Sequence, residues 1–286
     1  MPERGGAQSR IMSAVSDSGP LRRRFQRVRT REERDAVGFF LLAQGWAGLH
    51  LGDTLLRLDT GSEEHRVLAL RGAADEVRAV ALIHGRRAEL LVPLQEDLAV
   101  AADLLTQQGP ALDRLSCLES QLPAHPGDDF EVYVKEMTVA STLRLAGREP
   151  VFVRPARIAD AEDLRRIYDP VPWMRLDTAD GWAERIRTQR TWVAEIAGRP
   201  AAAGRWTKSF GRAVEIGGVA TDPELRRRGA ATAVVAAATA EALAQGLTPV
   251  LCFGDPKLGN LYHGLGFELV GRELAFRRRV PADIGI

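Results

Sequence analysis

Val219-Ala220-Thr221-Asp222-Pro223-Glu224-Leu225-Arg226-Arg227-Arg228-Gly229-Ala230-Ala231-Thr232 is the stretch on which the fold turns. Its pattern predicts a strand, a turn at Asp222-Pro223, and an arginine–glycine loop that opens directly onto a helix. Successive backbone N–H groups at a helix N-terminus form a cradle for an anion, reinforced by the helix dipole. Gly229 lets the backbone approach a phosphate, and small Ala230 and Ala231 leave the helix start uncovered. The loop lacks the Gly-Lys-Ser/Thr ending of a nucleotide P-loop and the Gly-x-Gly-x-x-Gly of a dinucleotide fold. It therefore points to a pyrophosphate-bearing ligand and away from a Mg-ATP site.

Outward from this loop the C-terminal half reads as mixed α+β. Val151–Arg154 predicts a short strand, and Ile158–Leu164 opens a helix with Asp160 as its N-cap. Two strands, Thr191–Ala197 and Pro200–Lys208, flank the turn Gly198-Arg199, and a third covers Ala213–Ala220. Ala230–Gln245 is a helix closed by Gly246. Pro249–Phe253 predicts a buried strand and Gly259–Leu265 a short helix, followed by strands around Phe267 and Leu274. In the N-terminal half the pattern is helical from Leu21 to about Leu49. Strand-like runs follow at Thr54–Leu58, Arg66–Leu70, Val77–Ile83 and Ala88–Val92, with a hairpin turn at His84–Arg87. Glu96–Gln108 is a helix stopped at Gly109-Pro110, and Glu131–Val139 alternates as a strand. The rough grammar repeats between halves, as in a divergent duplication.

Length sets the scale: 286 residues exceed the roughly 150 of one domain and favour two. Breakers at Ala146–Pro150 put the boundary there, giving a loose tail over 1–20, an N-terminal domain over 21–147 and a C-terminal domain over 148–286. The 39 Lys+Arg nearly cancel the 38 Asp+Glu, so no basic excess marks a nucleic-acid partner. Lysine occurs only at Lys135, Lys208 and Lys257, a bias read as coding composition. Two cysteines, Cys117 and Cys252, make no disulfide framework, and Cys252 reads as packing. Gly229–Ala240 falls short of the ~18 residues of a membrane span. Arg22-Arg23-Arg24-Phe25 is followed by charges where a twin-arginine signal needs an apolar segment, so a cytoplasmic, membrane-free protein is expected. The five histidines show no ligand spacing, and no metal is expected.

The loop, together with Leu261-Tyr262-His263-Gly264-Leu265-Gly266-Phe267, resembles the GNAT superfamily of acyl-CoA-dependent N-acyltransferases. That family's loop reads Arg/Gln-x-x-Gly-x-Gly/Ala, matched by Arg226 through Ala231, with Pro223 in its common place. Its last helix closes on Leu-Tyr-x-x-x-Gly-Phe, matched by Leu261 through Phe267. The resemblance runs from Val151 to about Arg279. It implies a mixed, mostly antiparallel sheet flanked by helices, here in a tandem arrangement whose N-terminal half is a degenerate copy. That half has no such loop near Pro93–Leu98, where Gln95-Glu96-Asp97 would repel phosphate. It would instead shape the acceptor site or an oligomer interface, such as that of a homodimer.

Carried over by position, the resemblance implies that Val219, Ala220 and Thr221 present backbone groups to a pantetheine arm. Backbone amides of Arg226, Arg227, Arg228, Gly229, Ala230, Ala231 and Thr232 would hold the pyrophosphate of acetyl-CoA. Tyr262 would protonate the departing thiolate. Many relatives have Asn where Asp255 stands, and Asn260 is a substitute cofactor contact. Glu215, 11 residues before Arg226, matches the catalytic Glu of the protein-lysine branch. Between Val214 and Ile216, burial would raise its pKa toward neutrality, as a base requires. Gly217-Gly218 suits a bulge that opens the sheet. The plainer alternatives are a solvated turn at Arg226–Arg228, a solvent-facing Glu215 and a core Tyr262. The function expected is acetyl transfer to the amine of a small molecule or peptide. The rivals are a non-catalytic acyl-CoA sensor and, against the charge balance, transfer to a nucleic-acid or ribosomal amine.

Overall fold

The computed structural model describes residues 24–58, 62, 64–108, 111–123, 125–144 and 151–279. The expected tail over 1–20, the stop at Gly109-Pro110 and the boundary at 146–150 lie outside the described residues. In chain order the N-terminal half runs β1 (Phe25–Arg27), α1 (Arg31–Ala43), α2 (Leu49–Arg57), β2 (His65–Arg71), β3 (Val77–His84), β4 (Arg87–Leu91), α3 (Leu98–Gln108), β5 (Arg114–Leu118) and β6 (Phe130–Ala140). The C-terminal half runs β7 (Phe152–Pro155), α4 (Ala161–Tyr168), α5 (Ala179–Thr188), β8 (Thr191–Ile196), β9 (Arg199–Phe210), β10 (Ala213–Thr221), α6 (Ala230–Ala244), β11 (Thr248–Phe253), α7 (Gly259–Gly264) and β12 (Phe267–Arg278).

All these strands join one sheet, in the order β1-β2-β3-β4-β5-β12-β6-β11-β10-β9-β8-β7. The two halves exchange their last strands. β12 pairs with β5 of the first half, and β6 pairs with β11 of the second, while β6 and β12 pair with each other along their length. The parallel pairs reveal the duplication. β4 and β5 pair only from Arg87↔Arg114 to Glu89↔Ser116, and β10 and β11 only from Ala213↔Thr248 to Glu215↔Val250. Beyond those points each pair parts, so Glu89 and Glu215 occupy equivalent places.

Both faces of the sheet are covered. On one face α6 packs with Trp192, Ala202, Ile216, Leu251 and Phe267. On the other, α4 and α5 bury Leu164, Tyr168 and Trp182 against Val193, Ala203 and Ala220. That second face is shared, because α1 and α2 of the N-terminal half bring Val37, Leu41, Leu49 and Leu55 onto Phe210, Ala213 and Val250. The N-terminal helices thus pack directly on C-terminal strands.

Several expectations are corrected. The single helix over Leu21–Leu49 is a strand and two helices among the described residues. α1 starts at a capping box in which Thr30 Oγ1 accepts from Glu33 N–H at 3.1 Å and Glu33 Oε2 from Thr30 N–H at 2.9 Å. Thr54–Leu58, read as a strand, closes α2, because Leu51 and Leu55 share its buried stripe at helical spacing. β5 and α5 were not expected. The separate strands at Phe267 and Leu274 form one strand carrying a register shift between Leu269 and Gly271. Asp160 makes no side-chain cap to α4; its carboxylate instead accepts from Arg154 Nη1 at 2.7 Å and Arg157 N–H at 2.6 Å.

Candidate functional site

The cradle is built as the sequence predicts. Buried Asp222 anchors it by accepting from Glu224 N–H at 3.1 Å and pairing with the guanidinium of Arg166. A single 3₁₀ turn over Pro223–Leu225 follows, and then two left-handed residues, Arg227 at φ 65° and Gly229 at φ 82°, aim the chain into α6. Glycine is the residue that takes this conformation without strain. Arg226, Arg227 and Arg228 are exposed, and among the described residues none of them has an ion-pair partner. Three unneutralised guanidiniums beside a helix start suit a pyrophosphate.

β10 opens beside this loop. Its pairing with β9 slips between Glu215 and Ile216 and again between Gly217 and Ala220, with Gly218 at φ 57°. The expected bulge is present, and it is pinned from α4: the Tyr168 hydroxyl donates to the Gly218 carbonyl. Tyr168 is itself stacked on Trp182 at 4.3 Å. No motif flagged Tyr168.

A cavity of about 1130 Å³ extends from the bulge to the cradle. It is lined by Val219, Ala220, Thr221, the whole run Arg226–Thr232, Asn260 and Tyr262. The structure therefore gathers every expected cofactor-contact residue and the expected acid around one space. Its remaining wall, with Val171, Trp173 and Met174, was missed; the sequence signal there is the apolar, proline-bearing run Pro170–Met174, whose Trp173 is 81% exposed in the structure. Tyr262 is buried against Phe253 at 5.0 Å, and burial pushes its pKa up to about 12. Asp255 caps the turn before α7 by accepting from Lys257 N–H at 3.0 Å. His263 is exposed.

Glu215 is the departure. It is not among the residues lining the cavity, although it lies on the same strand just upstream of Val219. Its Oε2 accepts from Thr207 Oγ1 at 2.6 Å and lies 3.6 Å from Lys208 Nζ, while Oε1 is 3.4 Å from His50 Nε2. The expected rise in pKa is reversed: burial would raise it, but His50, Lys208 and Thr207 hold the carboxylate well below its ordinary range. Cys252 packs against the apolar cluster the halves share, as expected, and its sulfur lies with a His50 nitrogen and a Glu215 oxygen in a group whose ligand-type atoms are within 4.8 Å of one another. Sequence spacing could not show this grouping, because its members come from both halves. The positive charge a cation would bring is already supplied there by Lys208 and by Lys135, 3.1 Å from Glu273.

In the N-terminal half, the matching loop is closed. Buried Asp97 takes Arg78 Nε at 2.9 Å ahead of α3, and Val92 N–H is spent on Gln121 Oε1 at 2.8 Å. Among the described residues, no helix is long and apolar enough to cross a membrane.

An opened parallel strand pair with an anion cradle at the following helix suits a ligand that carries a pyrophosphate and an extended arm. Residues 158–267 match the family model described as Acetyltransferase (GNAT) family. No curated protein matches the chain. A GCN5-related N-acetyltransferase from Sphaerobacter thermophilus is similar in fold at TM-score 0.62 and 13% identity, over 89% of this chain and 95% of that one. A GNAT-family acetyltransferase from Colwellia psychrerythraea matches at TM-score 0.60 and 14% identity, over 90% of this chain and 100% of that one. A protein described as a tandem GNAT protein from the clavulanic acid biosynthesis pathway matches at TM-score 0.56 and 12% identity, over 91% of this chain and 99% of that one. The fold is thus a tandem GNAT arrangement across both halves.

Proposed function

We propose that this protein is an acetyl-CoA-dependent N-acetyltransferase that acts on the primary amine of a small-molecule or peptide acceptor in a ternary complex. The observation that supports it is the single cavity joining the Arg226–Thr232 cradle, the parted edge Val219–Thr221 and the Tyr262 hydroxyl. When bound, acetyl-CoA supplies the thioester carbonyl that the amine attacks. The cradle amides and the three arginines hold the pyrophosphate. The backbone of Val219–Thr221 orients the pantetheine arm as an added strand would.

Proton traffic falls to two side chains. Glu215 takes a proton from the attacking nitrogen, directly or through water. A carboxylate held this low cannot strip a free ammonium ion, so the proton leaves as the C–N bond forms and the nitrogen becomes acidic. Tyr262, fully protonated at working pH, gives its proton to the sulfur as the C–S bond breaks. No covalent enzyme intermediate is needed.

A second reading, an acyl-CoA sensor without turnover, draws on the placement of Glu215 away from the cavity lining. Thermal-shift titration with acetyl-CoA, CoA and ATP, alongside an Arg226→Glu/Gly229→Asp double variant, tests the cradle. Ligand at 100 times Kd stabilises by about 2.7 kcal/mol. The expected result is a rise with both CoA species, none with ATP, and none in the variant. CoA release with a panel of primary amines then separates enzyme from sensor.

A further inference from the structure

A buried chain of alternating charge joins the two halves where β10 and β11 part. His50, on α2, places Nε2 3.4 Å from Glu215 Oε1 and Nδ1 3.5 Å from Glu273 Oε1. Glu273, on β12, holds Lys135 of β6 at 3.1 Å. Glu215, on β10, faces Thr207 and Lys208 of β9, and Cys252 of β11 completes the wall. One helical turn along α2, Asp53 is taken by Arg57 at 3.0 Å and by Ser209 N–H at 3.1 Å. The side chains of His50, Glu215 and Glu273 are only 12%, 13% and 10% exposed.

Burying these charges is costly unless each is paired, and apolar residues of similar volume often fill such a space with no loss of stability. Leu51 and Met137 of the apolar cluster the halves share line the same small pocket as His50 and Glu273. The chain of charges also ends on a particular residue, the last of β10 to pair with β11 before the strands part. Both imidazole nitrogens lie within ion-pair distance of a carboxylate oxygen, at 3.4 and 3.5 Å, and the buried Nε2 makes no hydrogen bond among the described residues, so the ring meets its two acidic neighbours as a charge, and only the protonated ring attracts both.

We propose that His50 is a positioning residue for acetyl transfer, a fixed cation that keeps the Glu215 carboxylate ionised and oriented toward the incoming amine, so that the reaction site is built from both halves. Glu273 orients the ring from its far side, and Lys135 anchors Glu273. His50 gains and loses no proton in the reaction; the amine proton goes to Glu215 and the Tyr262 proton to sulfur. The charge on Glu215 raises the His50 pKa well above its ordinary value, against the effects of burial and Lys208, which agrees with a standing imidazolium. The N-terminal half, whose own cradle is closed, thereby acquires a function. The inference rests on the reading of Glu215 as base.

The test compares wild type, His50→Gln and Glu215→Gln in the full chain. The readouts are acetyl-CoA thermal shift, CoA release with spermidine, a lysyl peptide and glucosamine across pH, and NMR titration of the His50 ring. His50→Gln is expected to keep the thermal shift and the KM for acetyl-CoA. Its kcat should fall about tenfold or more, part of the 10²–10⁴ that a positioned base contributes. The acid limb of its kcat/KM profile should move to higher pH, because Glu215 has lost its cation. In wild type the ring should stay charged well above the ordinary value of about 6.5, and in Glu215→Gln it should titrate lower. An active wild type whose rate and pH profile survive His50→Gln overturns the role of His50 alone, as does a ring indifferent to Glu215→Gln. A wild type that binds acetyl-CoA and acetylates none of the amines overturns the enzyme reading and this inference with it. Should His50→Gln fail to fold, the NMR comparison of wild type with Glu215→Gln decides, a ring that titrates alike in both overturning the proposal.

Discussion

Gly52 of α2 meets Phe210 of β9 so closely that a Cβ on the glycine would lie 2.1 Å from the ring's Cδ1. The two residues belong to different halves, and Phe210 is buried in the cluster that the halves share. Gly52 also sits two positions beyond His50, so this contact sets how deeply α2 lowers the imidazole between its carboxylates. Gly52→Ala is expected to cost about 1–3 kcal/mol, the usual range for overpacking a filled core. At this chain length that is a fall of about 2–4 °C in Tm for each kcal/mol. The same variant should weaken catalysis more than acetyl-CoA binding, since the cradle lies on the opposite side of β10. An unchanged Tm would show that the halves pack loosely here.

The charged cluster should also give stability a window in pH. Glu273 is buried, which alone would raise its pKa, yet His50 and Lys135 hold it at about 2, and Glu215 is lowered for the same kind of reason. A carboxylate lowered on folding stabilises above its unfolded pKa of about 4.3 and loses that contribution as pH falls through the folded value. His50 is raised, so its contribution is complete below about 6.5 and is lost as pH rises through its folded value. Tm measured from pH 3 to about 9.5 should fall at both ends, and His50→Gln should flatten the alkaline fall. An alkaline fall of equal size in that variant would assign the effect to other groups.

The sequence made the C-terminal site legible because its parts are local. A helix start, a left-handed glycine and a diglycine bulge each act through backbone a few residues long, so Arg226–Thr232, Gly217-Gly218 and Tyr262 could be read in order. The fold class followed from the same segments. Legibility failed where the cause is tertiary. The Thr54–Leu58 run is apolar enough for a strand, and only its packing on Phe210 and Ala213 makes it helical. The pKa of Glu215 was misjudged because its neighbours were taken to be Val214 and Ile216. In the folded chain they are His50, 165 residues earlier, and Lys208 across the strand pair. No local pattern announces an exchange of last strands either, since β6 and β12 read as ordinary strands whichever neighbours they find.

That exchange predicts that neither half is a unit by itself. Residues 24–144 expressed alone would present β6 without β11 and β5 without β12, and residues 151–279 would leave matching gaps. Unpaired apolar strand edges aggregate. Each fragment alone is expected in the insoluble fraction, and co-expression should recover both as a soluble, acetyl-CoA-binding pair. A soluble, CoA-binding 151–279 fragment would mean that β12 can fold back beside β11 in place of β6.

Tyr262 carries the last expectation. Its ring packs between Phe253 and Phe267, so Tyr262→Phe keeps the apolar contacts and removes only the hydroxyl. Stability and the affinity for acetyl-CoA should therefore hold. As general acid, the hydroxyl is expected to contribute about 10²–10⁴ to kcat, and the variant should lose a rate in that range with KM little changed. Because burial lifts its pKa to about 12, wild type should show no alkaline limb from this group below pH 10. The discriminating measurement is kcat for Tyr262→Phe with a thioester whose thiol leaves easily. An acid's role predicts that the deficit shrinks as the leaving group improves, whereas a purely structural tyrosine predicts the same loss with every thioester.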